Sequence, residues 1–490
     1  MMRNDLSSSF EHPKFKELLA KYENMVRENT STYFESNELT QIAEYYASKN
    51  MIAESEQAIA YAFKLHPNDL DVMIYCCHNL IAKGKYDQAE KALELLPDQQ
   101  DSEVLFLRAT LWVEQGKIKA AEEIFTKMVE DEEDEEERVE TLLDIADVYM
   151  ETNHKEHAYK WLKKAYKANP ENRETWQFLA SCHFDLGNIE KSVYYTNRLL
   201  DDNPYDIIHW INLSRCYLQL ENTEKAVESI EFALAIEPEN PMAIEIKGLC
   251  YVQNENLQKA IECFHKIEET HPYKGQIWQV LAECYISIQD YEKAIRYLNL
   301  IINETQLSDL EWGVTLQRRA TCYLFTNQLE LSKKDIDDAL KHDSEYAQLY
   351  LTLAEYYIRI KDIDKARTEI AYAEALAIDK GEIIEETAKM LFRNALIEDA
   401  LLFFKRLEQE YPLLVKSCYF SIAYCYYILN NQEQMIRAII KGTIQQPDLL
   451  ERAATNGLMD STSQDFIRIG LKIKHMMENG ELNNLEDFQD

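Results

Sequence analysis

Apolar side chains recur through most of the chain at spacings of three and four residues, which place them on one face of an α-helix. The segment from Trp210 to Pro238 shows two such stretches, separated by a short polar turn. Gly and Pro are scarce, at 11 and 10 of 490 residues, whereas folds built from strands need frequent turn residues. The pattern therefore predicts an all-α chain of helices joined by short turns.

This two-helix pattern repeats with a period of 34 residues. Trp176 and Trp210 are 34 residues apart, and Trp278 follows Trp210 at twice that distance. A repeat tends to have an aromatic residue, Leu, a small residue, Tyr, Ala, a large apolar residue, Ala and Pro at repeat positions 4, 7, 8, 11, 20, 24, 27 and 32. Gly or Asn at position 15 and Pro at position 32 suit the ends of the first and the second helix. The repeat that begins at Ile207 is almost complete: Trp210, Leu213, Ser214, Tyr217, Ala226, Ile230, Ala233 and Pro238.

The pattern resembles the tetratricopeptide repeat. This resemblance implies an all-α solenoid of about twelve helix-turn-helix units, wound as a right-handed superhelix whose first helices line a concave groove. Residues 36–449 hold the units, 1–35 are expected to form an N-terminal helical cap, and 450–490 a C-terminal capping helix with an acidic tail. Insertions fall near 130–138, where an acidic run predicts an extended loop, and near 308–312. The predicted units start near Ser36, Leu70, Ser102, Val139, Arg173, Ile207, Pro241, Gly275, Gly313, Ala347, Gly381 and Lys416.

The resemblance also implies that positions 2, 5, 6, 9, 12 and 13 of each unit face a partner. In the N-terminal third these positions predict an acidic surface: Asp71, Glu103, Glu140, Asp144, Asp147, Glu174 and Asp185. Nearer the middle they predict an apolar surface with two polar points: Ile208, Ile211, Asn212, Arg215, Met242, Ile246 and Leu249. The divided surface favours a protein or peptide partner that is basic, or basic and apolar. A chain this rich in acid also places acid in a groove by chance, and the sequence leaves that alternative open.

The functional hypothesis is a non-enzymatic scaffold for protein–protein interaction. No P-loop, dinucleotide-binding loop, nucleophile elbow or HExxH helix is present, so the sequence predicts no catalytic, cofactor or metal site. Two alternatives stay open, a structural subunit of a larger or self-assembled complex and a regulatory subunit of an enzyme or transcription factor. The oligomeric state is not predicted.

Some members of the family bind the acidic C-terminus of a chaperone through Lys and Asn at fixed positions of three consecutive units. No three consecutive units here carry that set. Four units instead have an acid at position 9, which is expected to repel a carboxylate: Glu44, Asp147, Glu283 and Glu355.

Charge narrows the choice of partner further. The formal net charge is −35 with a pI near 4.7, and such a field repels nucleic acid. The first 15 residues lack the apolar run of a secretory signal, and no apolar stretch reaches transmembrane length. We therefore expect a cytoplasmic protein without membrane association.

Four cysteines, Cys182, Cys216, Cys250 and Cys284, are spaced by 34 residues, which suggests either a ladder of metal ligands or disulfides, or repeated packing. Because Cys322 and Cys425 share their repeat position, the spacing follows from the repeat itself. Packed helix axes lie about 8–10 Å apart, whereas a disulfide needs Cα atoms within about 7 Å. Buried free thiols are therefore predicted.

Overall fold

The computed structural model of the chain describes residues 10, 12–28, 30–49, 51–67, 69–455 and 461–479. Residues 1–9 of the predicted cap and the predicted acidic tail after residue 479 lie outside these ranges. The described part is helical without strands, which confirms the all-α class. Its α-helices are α1 Pro13–Glu28, α2 Ser36–Ser48, α3 Ile52–Leu65, α4 Leu70–Ala82, α5 Tyr86–Glu94, α6 Ser102–Glu114, α7 Ile118–Asp131, α8 Glu135–Glu151, α9 Lys155–Ala168, α10 Arg173–Asp185, α11 Ile189–Asp202, α12 Ile207–Gln219, α13 Thr223–Ile236, α14 Pro241–Gln253, α15 Leu257–Ile267, α16 Lys274–Ser287, α17 Tyr291–Glu304, α18 Asp309–Phe325, α19 Leu329–His342, α20 Ala347–Arg359, α21 Ile363–Leu376, α22 Lys380–Arg393, α23 Ile397–Glu410, α24 Tyr419–Ile428, α25 Gln432–Gln445, α26 Leu449–Thr455 and α27 Ser461–Glu478.

Two compact units divide the chain, an N-terminal unit from Met1 to Cys250 and a C-terminal unit from Tyr251 to Asp490. In the N-terminal unit consecutive helices pack as pairs, from α2 with α3 to α12 with α13. The C-terminal unit has the same arrangement from α16 with α17 to α24 with α25. Each pair also contacts the next pair of its unit, so each unit is a stack of helix pairs, as in a solenoid.

The turn between the two helices of a repeat has one backbone conformation throughout. In eleven described turns the residue at position 15 has positive φ, with Gly84 the first and Asn430 the last. The following N–H bonds back over the helix end, as Asn222 N does to the carbonyl oxygen of Tyr217 at 2.9 Å. Gly or Asn was expected here, yet five turns use other residues: Glu221, Glu255, Gln289, Lys361 and Ala395. Packing of the helix pair therefore imposes this conformation even where the residue does not favour it.

The acidic run near 130–138 is mostly helical, so the expectation of an extended loop was wrong. α7 continues to Asp131 and α8 begins at Glu135. The carboxylate of Asp134 caps α8 by accepting hydrogen bonds from the backbone N–H groups of Glu136 and Glu137, at 2.8 and 3.1 Å. Acids in the first turn also complement the positive end of the helix dipole.

None of the ten cysteines, all of which are among the described residues, forms a disulfide, and all except the half-buried Cys76 are buried. This confirms the packing interpretation of the 34-residue spacing. The Cys216 sulfur lies 3.3 Å from the Ser192 hydroxyl, and burial raises the pKa of its thiol. These thiols therefore serve as small core side chains.

His183 on α10 occupies repeat position 11, where neighbouring repeats have Tyr. The imidazole is 2% exposed, lies parallel to the Tyr195 ring at 5.9 Å, and is 5.0 Å from the Tyr159 ring. Its Nδ1 atom is buried without a hydrogen-bond partner. Burial, assisted by the charge of Lys191, lowers the pKa of His183, so the fold favours the neutral form of this side chain.

We expect His183→Phe to reduce the loss of stability in mild acid. Above the ordinary His pKa of about 6.5 the imidazole is neutral whether folded or unfolded. Below that pH the unfolded chain binds a proton more readily than the folded chain does, so the free energy of unfolding decreases as the pH is lowered, by at most about 1.4 kcal/mol per pH unit. Urea unfolding of both proteins between pH 7.5 and 5 tests this. If the difference in free energy of unfolding between wild type and variant did not change with pH, the prediction would be contradicted.

Candidate partner-binding surface

The predicted acidic residues lie on the first helices of four successive repeats, α4, α6, α8 and α10. These helices contact one another in sequence, so their outward faces form a row. We call six of the residues the acidic strip: Asp71, Glu103, Glu140, Asp144, Asp147 and Glu174. Asp147 and Glu174 are half-buried and the other four are exposed. Asp185 is exposed at the C-terminal end of α10, where its backbone carbonyl accepts a hydrogen bond from Lys155 Nζ at 3.2 Å.

Two glutamates report on the electrostatics of the acidic strip. Desolvation raises the pKa of Glu174, and the charges of Asp144, Glu140 and Asp147 raise it further. The pKa of Glu103 is raised by desolvation and then by the charges of Asp101 and Asp71. Carboxylates of neighbouring helices are thus close enough to disfavour one another's charge, a cost that a bound cation would relieve.

Sequence reasoning missed His78, which stands at position 9 of the second repeat. It is exposed on α4, yet desolvation lowers the pKa of its imidazole, while the charge of Glu151 raises it. Because Glu151 ends α8, two repeats further along, the surface brings residues of α4 and α8 within electrostatic reach. Its place at position 9, one of the positions expected to face a partner, could have identified His78 from the sequence.

The predicted apolar surface needs correction. Ile211 and Ile246 are 2% and 7% exposed and belong to the core between α12, α13 and α14, and Leu249 packs against the same core. Only Ile208 and Met242, both at position 2, are well exposed, at 61% and 53%. Ile211, Ile246 and Leu249, at positions 5, 6 and 9, pack toward the neighbouring repeat, because a core-facing helix needs an apolar stripe more than 100° wide.

The two polar points of that surface remain accessible. Arg215 is exposed, and its guanidinium carbon lies 5.6 Å from the centre of the Phe184 ring on α10. Asn212 is half-buried one helical turn before it. A cation held over an aromatic face at this distance is weakly stabilised.

Comparison with known families agrees with the repeat geometry. A tetratricopeptide-repeat model matches residues 47–111, and the model for subunit 3 of the anaphase-promoting complex, or cyclosome, matches 114–198 and 223–300. This chain is a tetratricopeptide-repeat protein. No curated protein sequence matches it significantly. The matched segments lie within the run of paired helices from α2 to α17.

Several solved structures are similar to this tetratricopeptide-repeat protein. A tetratricopeptide-repeat protein from Parabacteroides merdae ATCC 43184 is 21% identical, covering 51% of this chain and 98% of its own, with a TM-score of 0.41. A chain of the anaphase-promoting-complex hetero-tetramer Cut9–Hcn1 is 11% identical; the match covers 90% of the present chain and 97% of the Cut9–Hcn1 chain, with a TM-score of 0.37. YrrB, a tetratricopeptide-repeat protein with an unusual peptide-binding site, is 17% identical; the match covers 39% of the present chain and 96% of YrrB, with a TM-score of 0.32.

Tetratricopeptide-repeat families are generally non-catalytic scaffolds that bind proteins or peptides. Among the described residues no group of three His, Cys, Asp or Glu side chains is placed to hold a metal ion. No described helix is long and apolar enough to cross a membrane.

The acids at position 9 in the C-terminal unit, which were expected to repel a carboxylate ligand, are paired with basic side chains of the next repeat. Glu283 forms an ion pair with Arg318 at 2.8 Å. Glu355 is 4% exposed and is bound by Asn394 and Arg393 at 3.1 and 3.4 Å. The expectation that Glu355 repels a carboxylate ligand was therefore wrong, because its charge is buried and compensated.

Proposed function

We propose that the acidic strip binds a basic segment of a partner protein. The observation that carries the proposal is the grouping of four carboxylates on α8 and α10: desolvation raises the pKa of Glu174, and the charges of Asp144, Glu140 and Asp147 raise it further. A Lys or Arg side chain among these groups would replace mutual repulsion with several attractive contacts. Such interactions guide association and specificity more than they add affinity.

Beyond α10, the first helices α12 and α14 carry the exposed side chains of Ile208 and Met242. Arg215 of α12 lies beside Phe184 of α10, and α12 and α14 share one apolar core. An apolar residue near the basic segment of the partner would cover them. We therefore propose a basic partner segment with an apolar neighbour, bound along the first helices of the second to seventh repeats.

Charge reversal on α8 tests the proposal. We expect Glu140→Lys/Asp144→Lys/Asp147→Lys to weaken binding of a fluorescein-labelled octapeptide of alternating Arg and Gly by at least about tenfold, since three attractive charges become repulsive. Fluorescence anisotropy measures the affinity. Wild-type binding is also expected to weaken between 50 and 500 mM NaCl, because salt screens exposed charges.

A matched control separates the strip from total charge. Glu123→Lys/Glu156→Lys/Glu190→Lys changes the net charge equally at exposed sites on the second helices α7, α9 and α11. This control is expected to bind the peptide nearly as well as wild type. Equal weakening by the two triple variants would show that overall acidity, and not the strip, attracts the peptide.

The match to the subunit 3 model of the anaphase-promoting complex favours a second candidate, a structural subunit of a larger complex. Affinity purification of the full chain followed by mass spectrometry separates the candidates. If stoichiometric partners stay bound when the α8 triple variant replaces wild type, assembly uses other surfaces and the second candidate is favoured.

A further inference from the structure

Two arginines and an aromatic ring line up at the ends of three successive first helices in the C-terminal unit. Phe325, Arg359 and Arg393 each stand at repeat position 13 and end α18, α20 and α22, which contact one another in sequence. The guanidinium carbons of Arg359 and Arg393 lie 5.4 and 5.8 Å from the centre of the Phe325 ring. The Phe325 ring is stacked on Tyr291 at 4.7 Å with an interplanar angle of 7°. The ring is therefore a fixed platform beside both cations.

Buried Glu355 holds the two arginines together. Its Oε2 atom lies 3.4 Å from Arg393 Nη2, and its Oε1 atom lies 3.6 Å from Arg359 Nη2. Asn394 donates a further hydrogen bond to Oε1 at 3.1 Å. A carboxylate this buried requires such partners, since an uncompensated charge in the core is strongly destabilising.

The charges of this cluster do not balance. One carboxylate faces two guanidinium groups, which leaves a local positive charge on a chain whose net charge is −35. A guanidinium has five N–H donors, and the contacts to Glu355 are long for charge-assisted hydrogen bonds. The Nε atom of Arg359 is buried without a partner. The arginine side chains are 30% and 44% exposed, so a ligand can reach them.

We infer that Arg359 and Arg393 bind a side-chain carboxylate of an acidic peptide segment in a partner protein. The planar fork of Arg matches a carboxylate in geometry. A carboxylate also matches the single unbalanced charge, whereas a phosphate, with about −1.5 to −2 charges, would exceed it. The site is in other repeats than the acidic strip and takes a ligand of opposite charge, so it stands or falls independently of the proposed function.

A simpler role for these arginines is to stabilise the negative ends of α20 and α22. That role explains one Arg at each helix end. It does not explain why both share one buried carboxylate beside a common ring. Binding measurements distinguish the two roles, because helix stabilisation does not depend on a peptide.

The test uses the full chain and a fluorescein-labelled hexaglutamate peptide at 0.15 M ionic strength, where charges beyond about 8 Å are screened. Wild type is expected to bind it, and hexaglutamine is not. Arg393→Gln removes the more exposed arginine and leaves Arg359 to compensate Glu355, so the variant should fold, which circular dichroism checks. We expect this variant to bind roughly tenfold more weakly, the loss of one charge-assisted hydrogen bond.

The control is Arg367→Gln, which removes the same charge from an exposed arginine on α21 that pairs with Asp399. It is expected to bind hexaglutamate like wild type. The inference fails if wild type does not bind hexaglutamate, or if the two variants lose affinity equally. Tighter binding of a phosphoserine hexapeptide than of hexaglutamate would overturn the assignment of a carboxylate ligand.

Discussion

Replacing Phe125 with Ala is expected to lower the free energy of unfolding by about 3–5 kcal/mol. The ring is fully buried on α7, in contact with aromatic rings from the first and second helices of two repeats. Its centre lies 5.5 Å from that of Phe106, 5.9 Å from Tyr149 and 6.5 Å from Trp161. These large rings cannot collapse into the space left by Ala, so the loss includes a cavity as well as buried apolar surface.

Phe232→Ala is the matched control. This ring stands on α13, also a second helix of the N-terminal unit, but it is 48% exposed and stacks on Trp210 with centres 4.6 Å apart. We expect Phe232→Ala to lower the free energy of unfolding by no more than about 1.5 kcal/mol, the upper range for an aromatic pair. Urea unfolding followed by circular dichroism and Trp fluorescence compares the two variants. Similar losses would mean that the cluster around Phe125 is not tightly packed.

Asp335→Ala is expected to destabilise the C-terminal unit by about 3–5 kcal/mol, because it leaves a largely buried guanidinium without its counter-charge. The Asp335 carboxylate on α19 is 4% exposed and accepts two hydrogen bonds from Arg319 of α18, both at 2.7 Å. The third contact of this arginine, from Nη1 to Asn299 Oδ1 at 2.7 Å, supplies no negative charge.

Asp337→Ala on the same helix is the control for Asp335→Ala. Asp337 is exposed and pairs with Lys333 one turn away at 2.6 Å. Pairs of this kind contribute about 0.3–0.5 kcal/mol. Urea unfolding monitored by circular dichroism should therefore separate the two variants clearly. If Asp335→Ala cost no more than Asp337→Ala, water would have to reach the guanidinium, and the burial of this pair would be refuted.

The position-15 turns show how far the repeat register predicts structure. Gly187 and Asn327 are residue types that adopt the left-handed conformation readily, and their turns could be predicted from residue type alone. Ala395 does not favour it, yet its turn is the same, because the helices on both sides are placed by their buried faces. Residue type was insufficient there, whereas the 34-residue period identified the position.

Exposure on the first helices was less predictable. Position 5 of the sixth repeat, Ile211, is buried, while position 2, Ile208, is exposed, although both residues are Ile. The positions that face a ligand in the family cover a wide face of the first helix. Residues at the edge of that face contact the next repeat, to an extent that depends on how the repeats pack. No pattern within a single repeat contains that information.

The sequence by itself determined the helix pairs, their period and the residues placed on the first helices, because these depend on local spacing and on the 34-residue repeat. Only the tertiary structure decided which charged groups meet. Glu355 and Glu174 read alike in sequence, as acids on the face expected to bind a partner. Glu355 is buried between arginines of its own and the next repeat, whereas Glu174 is held among other carboxylates. The difference arises because electrostatic environment depends on distances between side chains from different repeats, and these distances are set when the helix pairs stack.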